Sequence, residues 1–304
     1  MAAATGVRAS GGATPSLRHR LAERGIDRHL WLLLPGVAFI LLLFVYPFLY
    51  GLQLSFRPLK GGGVFANYKT FFSDSYLRDT IWITLKLGVP AAVLNVAASI
   101  PIAYTMRRWR RGRRTLTALL VVPITLGTVL TAEGLLNYVG PAGWFNKVLR
   151  NLHLVKDSVP LLHNYWGVFL SLVITGFPFA FLLISAYLSG IDPVLERAAS
   201  TLGAGGWQRF RHVTFPLLAP GVAITFCLSF VLAFSVFPSA QLVGNPAGST
   251  HVISIAAYHA ALEQYDYPLG SAIAMVMAAV MLVIIGIVLL WRNTLYKGSS
   301  GGKG

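Results

Sequence analysis

Asp192-Pro193-Val194-Leu195-Glu196-Arg197-Ala198-Ala199-Ser200-Thr201-Leu202-Gly203-Ala204-Gly205-Gly206-Trp207-Gln208-Arg209-Phe210-Arg211-His212-Val213-Thr214-Phe215-Pro216-Leu217-Leu218 lies between two long apolar runs. Its first part reads as a short helix. Asp192 is an N-cap, and Pro193 takes the first helical position, where a missing N–H leaves nothing unpaired. Ala198, Ala199 and Leu202 give that helix a small apolar face. Gly203, Gly205 and Gly206 permit a sharp reversal. Trp207, Phe210 and Val213 then recur at i, i+3 and i+6 as the stripe of a second short helix, and Pro216 opens the next apolar run. A helix–turn–helix of this size either docks in a groove of another protein or lies on the membrane as an amphipathic connector.

The runs on either side set the fold class. Of 304 residues, 55% are hydrophobic and only 12% charged, about half the charge of a soluble domain. A helix crossing about 30 Å of hydrocarbon needs roughly 20 apolar residues. Six such runs fill the chain, over about 30–56, 80–106, 115–139, 166–188, 217–243 and 269–291. The expectation is an all-α membrane protein with about six transmembrane helices and no second soluble domain. Trp31, Trp82, Trp109, Tyr165, Trp166 and Trp291 fall near the span ends, where amphipathic rings meet the headgroups. Prolines inside the spans, among them Pro47, Pro90, Pro123, Pro178 and Pro238, are tolerated in a bundle because neighbours satisfy the freed carbonyls.

The net charge of +15 does not imply nucleic acid, because the basic residues sit in short clusters between apolar runs. The N-terminal tail, Arg107–Arg114, the loop over 191–215 and the C-terminal tail hold 17 Lys and Arg; the three alternate loops hold 7. That asymmetry predicts both termini in the cytoplasm. The six arginines between Arg107 and Arg114 read as an anchor to anionic lipid. The single cysteine, Cys227, excludes an internal disulfide or a multi-thiolate metal site and reads as a packing residue. The seven histidines make no ligand pair inside a span, which argues against a polytopic metalloenzyme. No phosphate-loop motif is present; the Gly-Ser-Ser-Gly-Gly-Lys-Gly end lacks the Ser or Thr after Lys303.

The Asp192–Pro216 stretch resembles the coupling-loop signature of binding-protein-dependent ABC importer permeases: Glu-Ala-Ala, three residues, Gly, nine residues, Ile, one residue, Leu-Pro. Aligned on Ala198, Ala199 and Gly203, the Ile position falls on Val213 and the last Pro on Pro216. The Asn67-Tyr68-Lys69-Thr70-Phe71-Phe72 stretch is also similar to this family. Two positions depart from it: Arg197 stands at the Glu position with Glu196 one residue earlier, and Phe215 replaces the Leu. The resemblance implies the ABC type I importer permease fold in a bacterial inner (plasma) membrane. It divides the chain into a basic cytoplasmic tail (1–29), a transmembrane permease domain (30–292, coupling loop about 190–216) and a flexible tail (293–304). It also implies a docking surface for a separate ATPase made of Glu196, Arg197, Ala198, Ala199, Gly203, Val213 and Pro216. The family's Glu often meets a basic group on the ATPase, and Arg197 puts that ion pair in doubt. Implied partners are two ATPase subunits, a second permease subunit (identical or different), an external solute-binding protein and membrane lipid. ATP and Mg are used by the ATPases, and this chain holds no cofactor and no catalytic residue. The Ala-Ala-x-x-Leu-Gly-Ala wording and Tyr267-Pro268-Leu269-Gly270-Ser271-Ala272 resemble the spermidine/putrescine-type permeases. Sugar or another solute class is the alternative, followed by an ion-driven secondary transporter, which would call for two related halves.

Two charged residues fall inside predicted spans. Lys86 and Glu133 each lie six residues from an outer end, and a charge at mid-membrane costs about 2.5–3.5 kcal/mol on insertion scales. They are expected either to pair with each other or, for Glu133, to line the solute path. Ser235, Ser239 and Gln241 are further candidates for the path, with Ser235 and Ser239 one turn apart on one helical face. The alternative for these is helix–helix hydrogen bonding.

Overall fold

A computed structural model describes residues 34–59, 61–108, 113–154, 157 and 159–296. The basic tail over 1–29, the middle of the arginine cluster and the chain beyond 296 lie outside the described residues. Those residues contain six helices long and apolar enough to cross a membrane, and no strand. The chain divides after Gln53 into two units. The first contributes most of α1 (Leu34–Ser55), an apolar helix widened into a π turn at Leu41–Val45. The turn has a local cause. Pro47 cannot donate to the carbonyl four residues back, and Tyr46 N–H bonds Leu41 O, five residues back.

The second unit holds the core. It runs through α2 (Ala66–Ser73), α3 (Ser75–Arg108), α4 (Arg113–Val139), α5 (Trp144–Asn151), α6 (Tyr165–Ser189), α7 (Pro193–Thr201) and α8 (Gly206–Phe234). It ends in α9 (Pro238–Leu242), α10 (Ile253–Tyr258, continued by a π turn at His259–Glu263) and α11 (Tyr267–Tyr296). α6 is central. Its Val168 and Leu172 pack with Leu87, Ala91, Ala240 and Val243 at one end. Its Phe181, Ile184 and Leu188 pack with Val96, Met106 and Leu218 at the other. A third cluster joins α2, α8, α10 and α11 through Phe71, Phe230, Phe234, Ile253 and Ile273. Asn95 of α3 donates to Leu172 O of α6 at 3.2 Å, a polar tie of the kind that helps hold helices together within lipid.

Three expectations need correction. The fifth span does not run unbroken over 217–243. It begins at Gly206 and stops at Phe234, and Pro238 opens α9 after a break at Ser235-Val236-Phe237. A proline at 238 has no N–H for the carbonyl of Phe234 and its ring crowds that position, so the helix ends and restarts. The third span, expected whole over 115–139, carries a non-helical residue, Gly127, at φ 71°, ψ 179°, a backbone region open only to glycine; Thr131 Oγ1 donates to the Gly127 carbonyl at 2.7 Å. The 244–268 segment, read as an outer loop, contains α10, with Ile253, Ile255, Ala256 and Ala260 all buried. Ile253 N–H donates to Thr84 Oγ1 of α3 at 2.9 Å, and Ser254 Oγ donates to Val236 O. A segment without Lys or Arg is what such a burial requires.

Candidate functional site

The loop over 192–216 is assembled from the turn chemistry of its own sequence. Asp192 Oδ1 accepts from Val194 N–H at 2.8 Å, with Pro193 opening α7. The chain reverses at Gly203 (φ 83°), and Gly205 N–H donates to Gln208 Oε1 at 2.8 Å as α8 begins. The π turn at Phe210–Thr214 precedes Pro216, which cannot donate to the carbonyl of His212; Phe215 N–H bonds Phe210 O instead. That turn changes the expected stripe of Trp207, Phe210 and Val213. Phe210 is half-buried between Trp207 (ring centroids 5.6 Å apart) and Tyr104 of α3 (5.0 Å). Trp207 stays 70% exposed, and Val213 turns into a cleft. The cleft, about 450 Å³, opens between α7 and the start of α8 and is lined by Ala199, Leu202, Gly203, Gln208, His212 and Val213. Leu202 at its rim is 88% exposed, and Val194 and Leu195 at the start of α7 are exposed too. Exposed apolar side chains on so short a loop mark a surface that a partner covers.

The two candidate charges of this loop point in opposite directions. Arg197 is exposed, as are Ala198, Gly203 and Pro216, while Ala199 is half-buried. Glu196 is turned inward at 9% exposure. Its Oε1 accepts from Arg107 Nη1 at 3.0 Å and from Thr214 Oγ1 at 2.9 Å. Arg107 also donates to Ile191 O through Nη2. The grouping of Glu196 with the outward docking residues is therefore corrected. One step along a helix is a rotation of about 100°, which carries Glu196 to the face that meets α3 and α8. Arg107, read as a lipid anchor, and Thr214 are functional candidates that sequence reasoning missed. The available signal was the one-residue offset of Glu196 from Arg197, which on a helix turns the two side chains to different faces.

The candidate path residues do not form one group. Glu133 on α4 and Lys86 on α3 are both exposed, and they make no ion pair among the described residues. Ser235 caps the end of α8, exposed, with its hydroxyl donating to Val231 O at 2.8 Å. Ser239 lies across the break on α9, fully buried, its hydroxyl 2.8 Å from that of Ser171 on α6. The expectation that Ser235 and Ser239 share one helical face is overturned by the Pro238 break. Ser239 bonds one helix to another, and Gln241 on α9 is exposed. No group of three His, Cys, Asp or Glu residues among the described ones could hold a metal ion.

The family model described as "Binding-protein-dependent transport system inner membrane component" matches residues 29–297. The sulfate transport system permease protein CysT of Escherichia coli (strain K12) is 29% identical over 222 residues, covering 72% of this chain and 78% of that protein. The probable ABC transporter permease protein BruAb2_0483 of Brucella abortus biovar 1 (strain 9-941) is 26% identical over 268 residues, covering 83% and 92%. Among solved structures, the crystal structure of a bacterial ABC transporter involved in the import of the acidic polysaccharide alginate aligns with a TM-score of 0.74 at 23% identity. It covers 92% of this chain and 99% of that one. The polyamine subclass expected from the sequence wording has no support among these proteins.

Proposed function

Because this chain belongs to the binding-protein-dependent transport system inner membrane components, it is a multi-pass inner-membrane permease subunit of an ABC importer, and we propose that the solute is a small anion of the sulfate kind. The ATPase activity of such an importer resides in a separate subunit. The loop over 192–216 is the surface on which that ATPase docks, through Arg197, Ala198, Ala199, Gly203, Val213 and Pro216, of which Ala199, Gly203 and Val213 line its notch. Two ATPases with their ATP and Mg, a second permease subunit and an external solute-binding protein complete the assembly. The observation that carries the docking reading is the open notch lined by Ala199, Leu202, Gly203 and Val213, on a loop whose Val194, Leu195, Leu202 and Trp207 are exposed. Their exposed surface gains stability only when covered.

The anion reading takes its support from the sulfate permease relatives. The Gln241 amide, exposed beside the fifth-span break, suits it chemically. Neutral donors bind an anion firmly enough to admit it and weakly enough to release it. Glu133 then plays no part in the path.

The test is reconstitution of the purified complex in lipid vesicles with its own binding protein. Sulfate is expected to stimulate ATP hydrolysis and to accumulate inside, while spermidine and an alginate oligosaccharide do not. Glu133→Gln is expected to leave sulfate uptake unchanged. Stimulation by spermidine, or loss of uptake in an intact Glu133→Gln complex, would overturn the anion reading. Gly203→Asp, which crowds and charges the notch, is expected to abolish co-purification of the ATPase.

A further inference from the structure

We propose that Glu196, held by Arg107 and Thr214, is the joint through which a push on α7 reaches two membrane spans together. The proposal rests on the docking reading and adds how the docked motion enters the spans. One carboxylate oxygen meets three elements: it belongs to α7 and accepts from the last turn of α3 (Arg107) and from the π turn that starts the fifth span (Thr214). Both charged side chains are largely screened from water, with side-chain exposures of 11% for Glu196 and 16% for Arg107. An ion pair shielded in this way is much stiffer than one at the surface. Arg107 adds a hydrogen bond to Ile191 O, at the joint between α6 and α7. The outer face of α7, with Val194, Leu195 and Arg197, takes no part in this network and stays exposed.

The two spans gripped by the joint continue to the far end of the bundle. α3 meets α6 through Asn95 and α10 through Thr84. α8 runs to the break at Ser235. The Tyr104–Phe210 ring contact joins α3 and α8 again beside the joint. Displacement of α7 therefore has a continuous route to the Ser235–Phe237 break, where Ser235 is exposed. Glu196 is a positioning residue in this scheme; it touches neither solute nor ATPase.

The experiment uses the full complex in vesicles and reads three quantities: the ATPase that co-purifies, the basal ATP hydrolysis, and the solute moved per ATP hydrolysed. Glu196→Gln and Arg107→Gln are each expected to keep the first two near wild type. Each should lower solute moved per ATP by about tenfold, within the range seen for substitutions along a coupling route. Arg107→Lys, which keeps the charge but loses the fork, should fall between. The double variant should be no worse than either single one, because the two groups act as a unit. Thr214→Val, similar in volume, gives a milder version should the charge variants assemble poorly. Unchanged coupling in Thr214→Val and in both single charge variants would overturn the proposal, as would additive losses in the double variant. Loss of co-purifying ATPase in Glu196→Gln would overturn it too, by placing Glu196 in the docking surface. Failure of the docking reading would look different: Gly203→Asp would retain its ATPase, and the proposal would fall with that reading.

Discussion

Gly167 sits at the start of α6, where the helix rests directly on the end of α9. A Cβ built there would lie 2.7 Å from Val243 O, 2.9 Å from Leu161 O and 3.3 Å from Leu162 Cα. Ordinary contact begins near 3.4 Å, so Gly167→Ala demands a shift of about 0.7 Å against backbone, which yields less than a side-chain tip. Overpacking of this kind costs about 1–3 kcal/mol. The same shift stretches the 2.8 Å hydrogen bond from His163 N–H to Val243 O, worth about 1 kcal/mol. The better helix propensity of alanine returns up to about 1 kcal/mol. The net expectation is a loss of about 1–3 kcal/mol. It should be read as a lower thermal-inactivation midpoint of the purified protein in one detergent, at one heating rate. Gly286→Ala is the control: it lies in α11 with nothing within 4 Å of the new Cβ, and should be neutral or slightly stabilising. A Gly167→Ala midpoint equal to that of Gly286→Ala would refute the close contact of α6 with α9.

Two further predictions follow from the same region. In a Cys227→Ala background, Ser235→Cys should react with a small charged thiol reagent while Ser239→Cys stays protected, because Ser235 is exposed and Ser239 is buried against Ser171; the reverse order would return Ser239 to the path. His251 is buried and stacked on Tyr76 at 4.4 Å. Its Nδ1–H donates to Pro246 O at 2.7 Å, and its Nε2 has no partner among the described residues. Burial pushes its pKa below the usual histidine value, the Pro246 carbonyl pulls it back up, and nearby His259 adds to the lowering. With the folded value depressed, the unfolded chain takes up the proton first. Stability from this group is whole above about pH 6.5 and is lost as pH falls through that value towards the folded one. The inactivation midpoint should therefore drop between pH 7.5 and pH 5.5, and drop less in His251→Phe, which keeps a ring on Tyr76 but cannot titrate. Equal drops in the two proteins would count against this account.

The six spans were legible because lipid imposes length and polarity on a helix without reference to any neighbour. The Asp192 cap, the Pro193 start and the Gly203 reversal were legible for a related reason: each is satisfied within a few residues of itself. The break at 235–237 left a sequence trace in Pro238, but prolines also sit inside unbroken helices here, at Pro90, Pro101 and Pro178. Only packing separates the two cases. α10 was hidden because its apolar run, 252–262, is too short to span a bilayer and too apolar for a loop. Its burial depends on Thr84 and Val236, distant in the chain. Glu196 shows the same division at one residue. Its place on a short helix beside Ala199 came from the sequence, whereas Arg107 is 89 positions away. Local rules of hydration and backbone geometry decided which segments of this protein enter the membrane and where they turn. Tertiary structure alone decided which charge is braced inside and which faces out, because a buried carboxylate is stable only where distant helices bring its donors to it.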